Sequence, residues 1–444
     1  MTLKTTFFKV LLLSVFIVVL AACSNEGVPS SKSSDGSTVK EDTDAVKLVI
    51  TSSGGLDVPV FEQNILQYLE RQFPHFEFQY IEKISGESTI DLLLTTNQQI
   101  DLIFETIGGL PGGLMEPGLA MDISDLVKSH DVDLNRFEPS LIDGMRGLAD
   151  GGLFGLPVMN LVMVTYYNKE LFDAFGVKYP EDGLTWDEAM SLAAQMTRNE
   201  QGVQYLGLAS SEVHTIRMNQ FSLPYIDPET NKTTFDQPGW KRLIETIYIG
   251  EAEPAGYKEY MQGTGKFPYK DEFLKHKNLS MLVYFNDLHT ANPSMADMDW
   301  DMATVPVFSD MPGVGSQPYP TYWNITSISE HPDEAMQVIK YLVSDEYQTL
   351  KSKQGEMTTL VNEKVREVYG EEYEKSTGKT INWDAAFKTT PAAIPNKTLY
   401  DGAAESALKS VLCPVSAGEI DINTALRQAK EQADTEVAAA MESK

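Results

Sequence analysis

Val46-Lys47-Leu48-Val49-Ile50, closed by Ser52-Ser53-Gly54-Gly55, is the stretch from which the fold is read. A β-branched apolar run ending in small residues predicts a buried strand that turns into a loop. Phe61, Ile65, Tyr68 and Leu69 then recur at helical spacing, and Phe76, Phe78 and Tyr80 alternate with polar residues as in a half-buried strand. Thr89 to Thr96 has the composition of a short helix, and Leu102-Ile103-Phe104 reads as another buried strand. The order βαβαβ predicts a parallel, doubly wound α/β sheet. In such sheets ligands bind beyond the carboxyl ends of the strands. Ser52, Gly55, Glu105 and Thr106 are therefore expected to face one cleft.

Further along, Leu161 to Tyr167 reads as a second buried strand region after Gly155-Leu156-Pro157, and Thr185 to Glu188 has the form of a capping box that starts a helix. A helical pattern begins at Trp240, Ser280 to Phe285 reads as a strand, Glu334 to Leu342 as a helix, and Asn423 to Met441 as an Ala-rich helix. Trp186, in the first turn of a capped helix, is expected in the core rather than at a ligand.

Composition bounds the function. The 444 residues, 42% hydrophobic, suffice for two or three domains. Lys plus Arg minus Asp plus Glu is 35 − 64 = −29, a balance that repels phosphate backbones and argues against a nucleic-acid partner. Lys4 and Lys9 precede an apolar run of 13 residues, Val10 to Ala22, shorter than the ~20 needed to span a bilayer. The run ends in Leu20-Ala21-Ala22-Cys23, which resembles the lipobox of bacterial lipoprotein signal peptides. That resemblance implies a signal peptide over residues 1–22, removed in the mature chain, and a lipid, such as palmitate, on Cys23. Ser24 to Asp44 lacks apolar periodicity and is expected to be a disordered tether of 21 residues, reaching roughly 25 Å. With Cys23 lipidated only Cys413 remains, so no intramolecular disulfide is expected, and Cys413 reads as a small buried hydrophobe.

Gly155-Leu156-Pro157, then Tyr167-Asn168-Lys169-Glu170-Leu171-Phe172, then Thr185-Trp186-Asp187-Glu188 resemble the central signature of the family 1 extracellular solute-binding proteins, the carbohydrate-binding components of ABC importers. Thr234-Phe235-Asp236, Phe273 to Met281, Val305-Pro306 and Pro332-Asp333-Glu334-Ala335 follow in the family's order. The resemblance implies a two-lobed periplasmic-binding-protein-like fold of type II, each lobe a mostly parallel sheet flanked by helices. Its N-terminal lobe would take residues 45–157 plus 322–350 and its C-terminal lobe residues 158–321 plus 351–444. The lobes would follow the leader (1–22) and the lipidated Cys with its tether (23–44). It also implies chain crossings near Pro157, near Pro320 to Trp323 and near Asp345 to Gly355, with a sugar or oligosaccharide held between the lobes. Delivery would be to the importer's permease subunits, from a lipid anchor on the outer face of the cell membrane. Ser24, lacking the Asp of a Gram-negative retention signal, points to a Gram-positive surface. One departure bears on ligand class: Tyr319-Pro320-Thr321-Tyr322-Trp323 stands where members often carry a Gly-Gly segment.

Sugar binding needs planar apolar faces and fixed polar groups. Trp323, with Tyr322 beside it, is the leading aromatic candidate, with hinge packing as its alternative. Tyr284, Asn286 and Asp287 follow the strand whose end contributes ligand contacts in the family, and Asn160 lies three residues beyond Pro157. Glu105 can accept from vicinal hydroxyls, or cap a helix. The Gly108-Gly109 and Gly112-Gly113 loop can offer N–H groups to an anion, or simply be flexible. A polyamine or oxyanion receptor of the same fold, or a surface glycosidase, remains the alternative. His75, His130, His214, His276, His289 and His331 form no HExxH, no GxxxxGK[ST] loop is present, and no metal, cofactor or catalytic residue is expected. The protein is read as a monomer and not an enzyme.

Overall fold

The first strand of the computed structural model, which describes residues 46–442, is β1 (Val46–Thr51), followed by β2 (Phe76–Ile81), β3 (Leu102–Thr106) and β4 (Gly155–Met159). Then come β5 (Met163–Asn168), β6 (Arg198–Glu200), β7 (Val203–Ser210), the short pair β8 (Ile226–Asp227) and β9 (Lys232–Thr233), β10 (Leu279–Phe285), β11 (Trp300–Thr304) and β12 (Thr321–Ile325). The expected signal peptide, Cys23 and the tether lie outside the described residues.

Two five-stranded sheets form, in the orders β2-β1-β3-β12-β4 and β11-β5-β10-β7-β6, each wrapped by helices and each with its own apolar core. These are the two lobes. The chain passes from one to the other at 160–162 and returns between β11 and β12. In the first sheet β1 runs parallel to β2, with Val46 opposite Phe76, and parallel to β3. The helical stretch 58–72 and the helix Ile90–Thr95 make the connections.

The expectation of mostly parallel sheets is corrected. β12 is antiparallel to both β3 and β4, and in the second sheet only the β10–β7 pair is parallel. The physical reason is the route: a right-handed helical crossover keeps neighbours parallel, whereas β12 enters the first sheet from the other lobe and is bound by no such connection.

Side chains on β12 alternate between the faces of its sheet. Tyr322 points into the core, where its hydroxyl donates to Leu141 O at 2.5 Å in the helix Pro139–Leu148. Trp323 faces the other way and stacks on Phe104, with ring centroids 5.3 Å apart at 22°. Phe104 in turn meets Phe61 at 6.0 Å and Tyr80 at 6.1 Å, so one aromatic stack ties β12, β3 and β2 to the helical stretch 58–61. In the second lobe the helix Trp186–Met196 starts with a reciprocal cap, Thr185 N–H to Glu188 Oε2 at 2.8 Å and Glu188 N–H to Thr185 Oγ1 at 3.2 Å. Trp186 is buried, its Nε1 donating to Gln220 Oε1 at 2.8 Å. Cys413 is a free thiol, partly buried against the second core.

Candidate functional site

At the carboxyl ends of β1 and β3 the chain builds a small, tightly bonded loop. Glu105 is 3% exposed, and its Oε1 accepts from the Ser53 N–H, from the Gly54 N–H at 3.2 Å and from the Ser52 hydroxyl at 3.2 Å. Burial pushes its carboxyl up while these donors pull it down. Gly109 and Gly113 leave the room: a Cβ on Gly109 would meet Glu105 Oε2, and one on Gly113 would lie 2.5 Å from Ser53 Oγ. The glycines of this loop thus serve close approach. Glu105 holds the Ser52–Gly54 loop in place, and Gly55 turns it in the left-handed region at φ 77°.

Beside this loop lies a cavity of about 310 Å³, within the range of small-molecule sites. Ser52, Gly54, Gly55, Thr106 and Glu105 form its polar side. Leu56, Ile65, Phe104, Val158 and the edge of Trp323 form the apolar side, and Tyr347, Lys351 and Glu356 complete it. Lys351 pairs with Glu356 at 2.5 Å and donates to Asn64 O at 3.2 Å, so both charges are met.

On the second lobe the ends of β7 and β10 carry a second polar and aromatic cluster. The Ser211 hydroxyl meets His214 Nδ1 at 2.9 Å and Tyr269 Oη at 3.0 Å. Tyr284 packs against Tyr269 and His214, at 5.8 and 5.3 Å between centroids, and Lys270 Nζ lies 5.3 Å from the Tyr284 ring. Burial holds the His214 imidazole neutral, its pKa pulled down to about 3. Asp287, half-buried, is pushed up to about 6 by burial, with Lys270 lowering it and Glu356 raising it. Tyr319 joins the lobes: Thr106 Oγ1 donates to its hydroxyl at 3.3 Å, Phe285 stacks on it at 6.2 Å, and the Arg217 guanidinium lies 5.4 Å over its ring.

Of the residues expected at the ligand, Ser52, Gly55, Glu105, Thr106 and Trp323 line the cavity, while Tyr284 and Asp287 lie on the second lobe's cluster. Three do neither. Tyr322 is fully buried on the opposite face of its sheet. Asn286 is also fully buried, accepting from the Val162 N–H at 3.0 Å and donating to Tyr369 Oη at 2.8 Å, so its amide fastens the first passage between lobes. Asn160 sits beneath Met357, its Nδ2 3.9 Å from the sulfur. Trp323 itself is 2% exposed, so only an edge reaches the cavity and its face belongs to Phe104. Lys351, Glu356, Tyr269, Lys270, His214 and Tyr319 carry no spacing signal in the sequence beyond the aromatic run that contains Tyr319.

A larger groove, about 740 Å³, lies on the second lobe beside Asp187, Glu245 and Glu253. It has no aromatic wall. Among the described residues no group of three or more His, Cys, Asp or Glu is placed to hold a metal ion, and no helix is long and apolar enough to cross a membrane.

The family profile of the bacterial extracellular solute-binding proteins matches residues 56–349, more than half of the chain. This chain belongs to that family. The mannitol-binding protein of Pseudomonas aeruginosa is 28% identical to this solute-binding protein over 144 residues, 32% of the present chain; the chain spans 31% of that relative's length. A sugar transporter from Rhizobium etli in an open conformation superposes with a TM-score of 0.69 at 18% identity, over 88% of this chain and 99% of that one. An ABC substrate-binding protein from Listeria monocytogenes in complex with cycloalternan gives 0.68 at 16% identity, over 89% and 100%. The solute-binding protein thus has the two-lobed periplasmic-binding-protein-like fold, with mixed sheets in both lobes.

Proposed function

We propose that this solute-binding protein receives a sugar or oligosaccharide between its lobes and hands it to the permease of an ABC importer. One observation carries the reading: a cavity with a fixed polar rim at Ser52, Gly54 and Thr106 and an apolar side at Phe104 and Trp323 is joined through Tyr319, which meets both Thr106 and Phe285, to the second lobe's aromatic strand end. Pyranose rings present CH faces to aromatic rings and hydroxyls to such fixed polar groups. The ligands named for its relatives, mannitol, a sugar and cycloalternan, agree in chemical class. Closure follows from differential affinity, since a ligand touching both walls favours the state in which both reach it.

The proposal includes the anchor: cleavage before Cys23, lipid on its thiol and a monomer tethered to the outer face of a Gram-positive cell membrane, with lobes of residues 45–157 plus 322–350 and 158–321 plus 351–444. Thermal-shift titration with mannitol, mannobiose, maltose and cycloalternan is the test, with spermidine, phosphate and sulfate alongside. A ligand at 100 times its Kd adds about 2.7 kcal/mol of stability. Stabilisation by spermidine or an oxyanion and by no saccharide overturns the carbohydrate reading. Release of reducing ends from a glycan overturns the receptor reading in favour of a glycosidase.

A further inference from the structure

The helix Asp345–Lys353 ends in a Schellman turn. Gly355, at φ 90°, donates its N–H to Ser352 O at 2.9 Å, and the Glu356 N–H donates back to Lys351 O at 3.0 Å. The turn folds Glu356 over the last helical residues and sets its Oε1 2.5 Å from the Lys351 ammonium. That ammonium is itself fixed, because the Lys351 side chain is buried, donates to Asn64 O at 3.2 Å and lies 5.8 Å over the Tyr68 ring. Glu356 is thus held by a backbone hydrogen bond and an ion pair at once.

Both residues line the cavity beside the Ser52–Gly54 loop, and at Glu356 its wall reaches the second lobe. A Cβ on Gly355, the residue before, would lie 2.5 Å from His289 Nε2 and 3.1 Å from Thr290 Cγ2, in the helical turn Leu288–Ala291 that follows β10. The Asp287 carboxyl at the start of that turn, raised first by burial, is raised further by the Glu356 charge. Only one oxygen of the Glu356 carboxylate is engaged. Among the described residues Oε2 has no hydrogen bond and no ion pair, and the side chain is 32% exposed.

The charges of the cavity wall favour one class of ligand. Among the described residues that line it, Lys351 is the one cation, against Glu105 and Glu356. Its ammonium is already met by Glu356 and Asn64, so a carboxylate entering the cavity finds two carboxyl groups and no free cation. A hydroxyl finds an open acceptor held in place. We propose that Glu356 is a specificity-determining residue, its free carboxylate oxygen accepting from a hydroxyl of the bound ligand and turning sugar acids away, so that the cavity takes uncharged saccharides or polyols in preference to uronates. The inference rests on the carbohydrate reading and narrows it.

Calorimetric titration of the full chain with mannitol, mannobiose, maltose and cycloalternan, and with glucuronate and galacturonate beside them, reads the result. The wild type should bind at least one neutral ligand, and each uronate at least about ten-fold more weakly. Glu356→Gln keeps the size of the side chain and removes the charge. It should bind that neutral ligand about five- to ten-fold more weakly, as a charged hydrogen bond becomes a neutral one, and the gap to the uronates should narrow. Its ligand-free Tm should fall, since buried Lys351 keeps its charge and loses its partner. Lys351→Met combined with Glu356→Gln removes both charges and should restore the Tm, while the weaker binding and the narrowed gap remain; it also stands in if the single variant does not fold. A uronate bound by the wild type as tightly as the neutral ligand overturns the role of Glu356 and leaves the carbohydrate reading standing. Wild-type affinity and discrimination in the variants do the same. Binding of none of the neutral ligands by the wild type overturns both.

Discussion

Glu105 and Gly109 are a matched pair: Glu105 Oε2 occupies the space that a Cβ on Gly109 would take, while Oε1 gathers the Ser53 and Gly54 N–H groups and the Ser52 hydroxyl. Gly109→Ala forces the carboxylate off the loop. The expected cost is about 1 to 3 kcal/mol in urea unfolding, the scale of a buried charged acceptor losing its donors. Ligand affinity should fall with it, because the loop forms the polar rim of the cavity. Unchanged stability in Gly109→Ala would show that Glu105 does not hold the loop.

Trp323 and Tyr284 are expected to separate stability from affinity. Trp323, buried against Phe104, should lower ligand-free stability by about 3 to 5 kcal/mol when changed to Ala. Tyr284, half-buried in the second lobe's cluster, should weaken binding by about 2 kcal/mol or more with a smaller change in Tm. Denaturation and calorimetry on the two variants check this, and a Tyr284→Ala variant that binds as tightly as the wild type removes that ring from the site.

His289 gives the protein an acid-sensitive core. It is 3% exposed, enclosed by Trp300, Trp383, Tyr369 and Tyr373, and burial pulls its pKa down to about 4. Between about pH 6.5 and 4 the unfolded chain takes up a proton that the folded one refuses. Stability from this group is therefore complete above pH 6.5 and is lost as pH falls toward 4, on the order of 3 kcal/mol. In His289→Leu the unfolding free energy should vary less with pH over that window; an identical profile would assign the acid sensitivity elsewhere.

Glu251 acts in the opposite direction. Buried beside Ser210 and within 3.3 Å of the Tyr257 hydroxyl, its carboxyl is pushed up to about 8. The folded protein keeps this proton from about pH 4.5 to 8 while the unfolded chain releases it, so stability declines as pH rises through that range. Glu251→Gln should raise the Tm at pH 8 and do little at pH 5. A lower Tm at pH 8 would mean that the charged form is favoured in the fold.

Gly355, at φ 90°, tests the join after the helix Asp345–Lys353. A Cβ there would lie 2.5 Å from His289 Nε2. Gly355→Ala should destabilise by more than 1 kcal/mol, from the left-handed backbone and the collision together. Pairing it with His289→Ala should recover the part due to the collision. Strict additivity of the two changes would show that the contact carries none of the cost.

The first βαβαβ unit was legible because its signals are local: Val46 to Ile50 is apolar but for Lys47, and Phe76, Phe78 and Tyr80 alternate. The direction of β12 was not, because it depends on a pairing with β3 made far along the chain. Adjacent strand residues face opposite sides, so Tyr322 and Trp323 could not both reach one cleft, and only register decides which does. Asn286 looked available as a polar group near a strand end, yet Val162 and Tyr369 use it. Tyr269 and Lys270 went unseen because they meet Tyr284 through packing of a separate helix onto β10.

The inner position of β12, between β3 and β4, also sets a clock on biogenesis. Asn324 Nδ2 donates to Ile103 O across 221 residues, and until that strand arrives β3 has an open edge of unpaired backbone groups. At ~5 to 20 residues per second of synthesis, the first lobe waits roughly 10 to 45 s for its missing strand. A nascent chain of this family thus stays unfinished until β12 has been made, well past the middle of the sequence. The strand that joins the lobes keeps the earlier half from sealing before the later half exists.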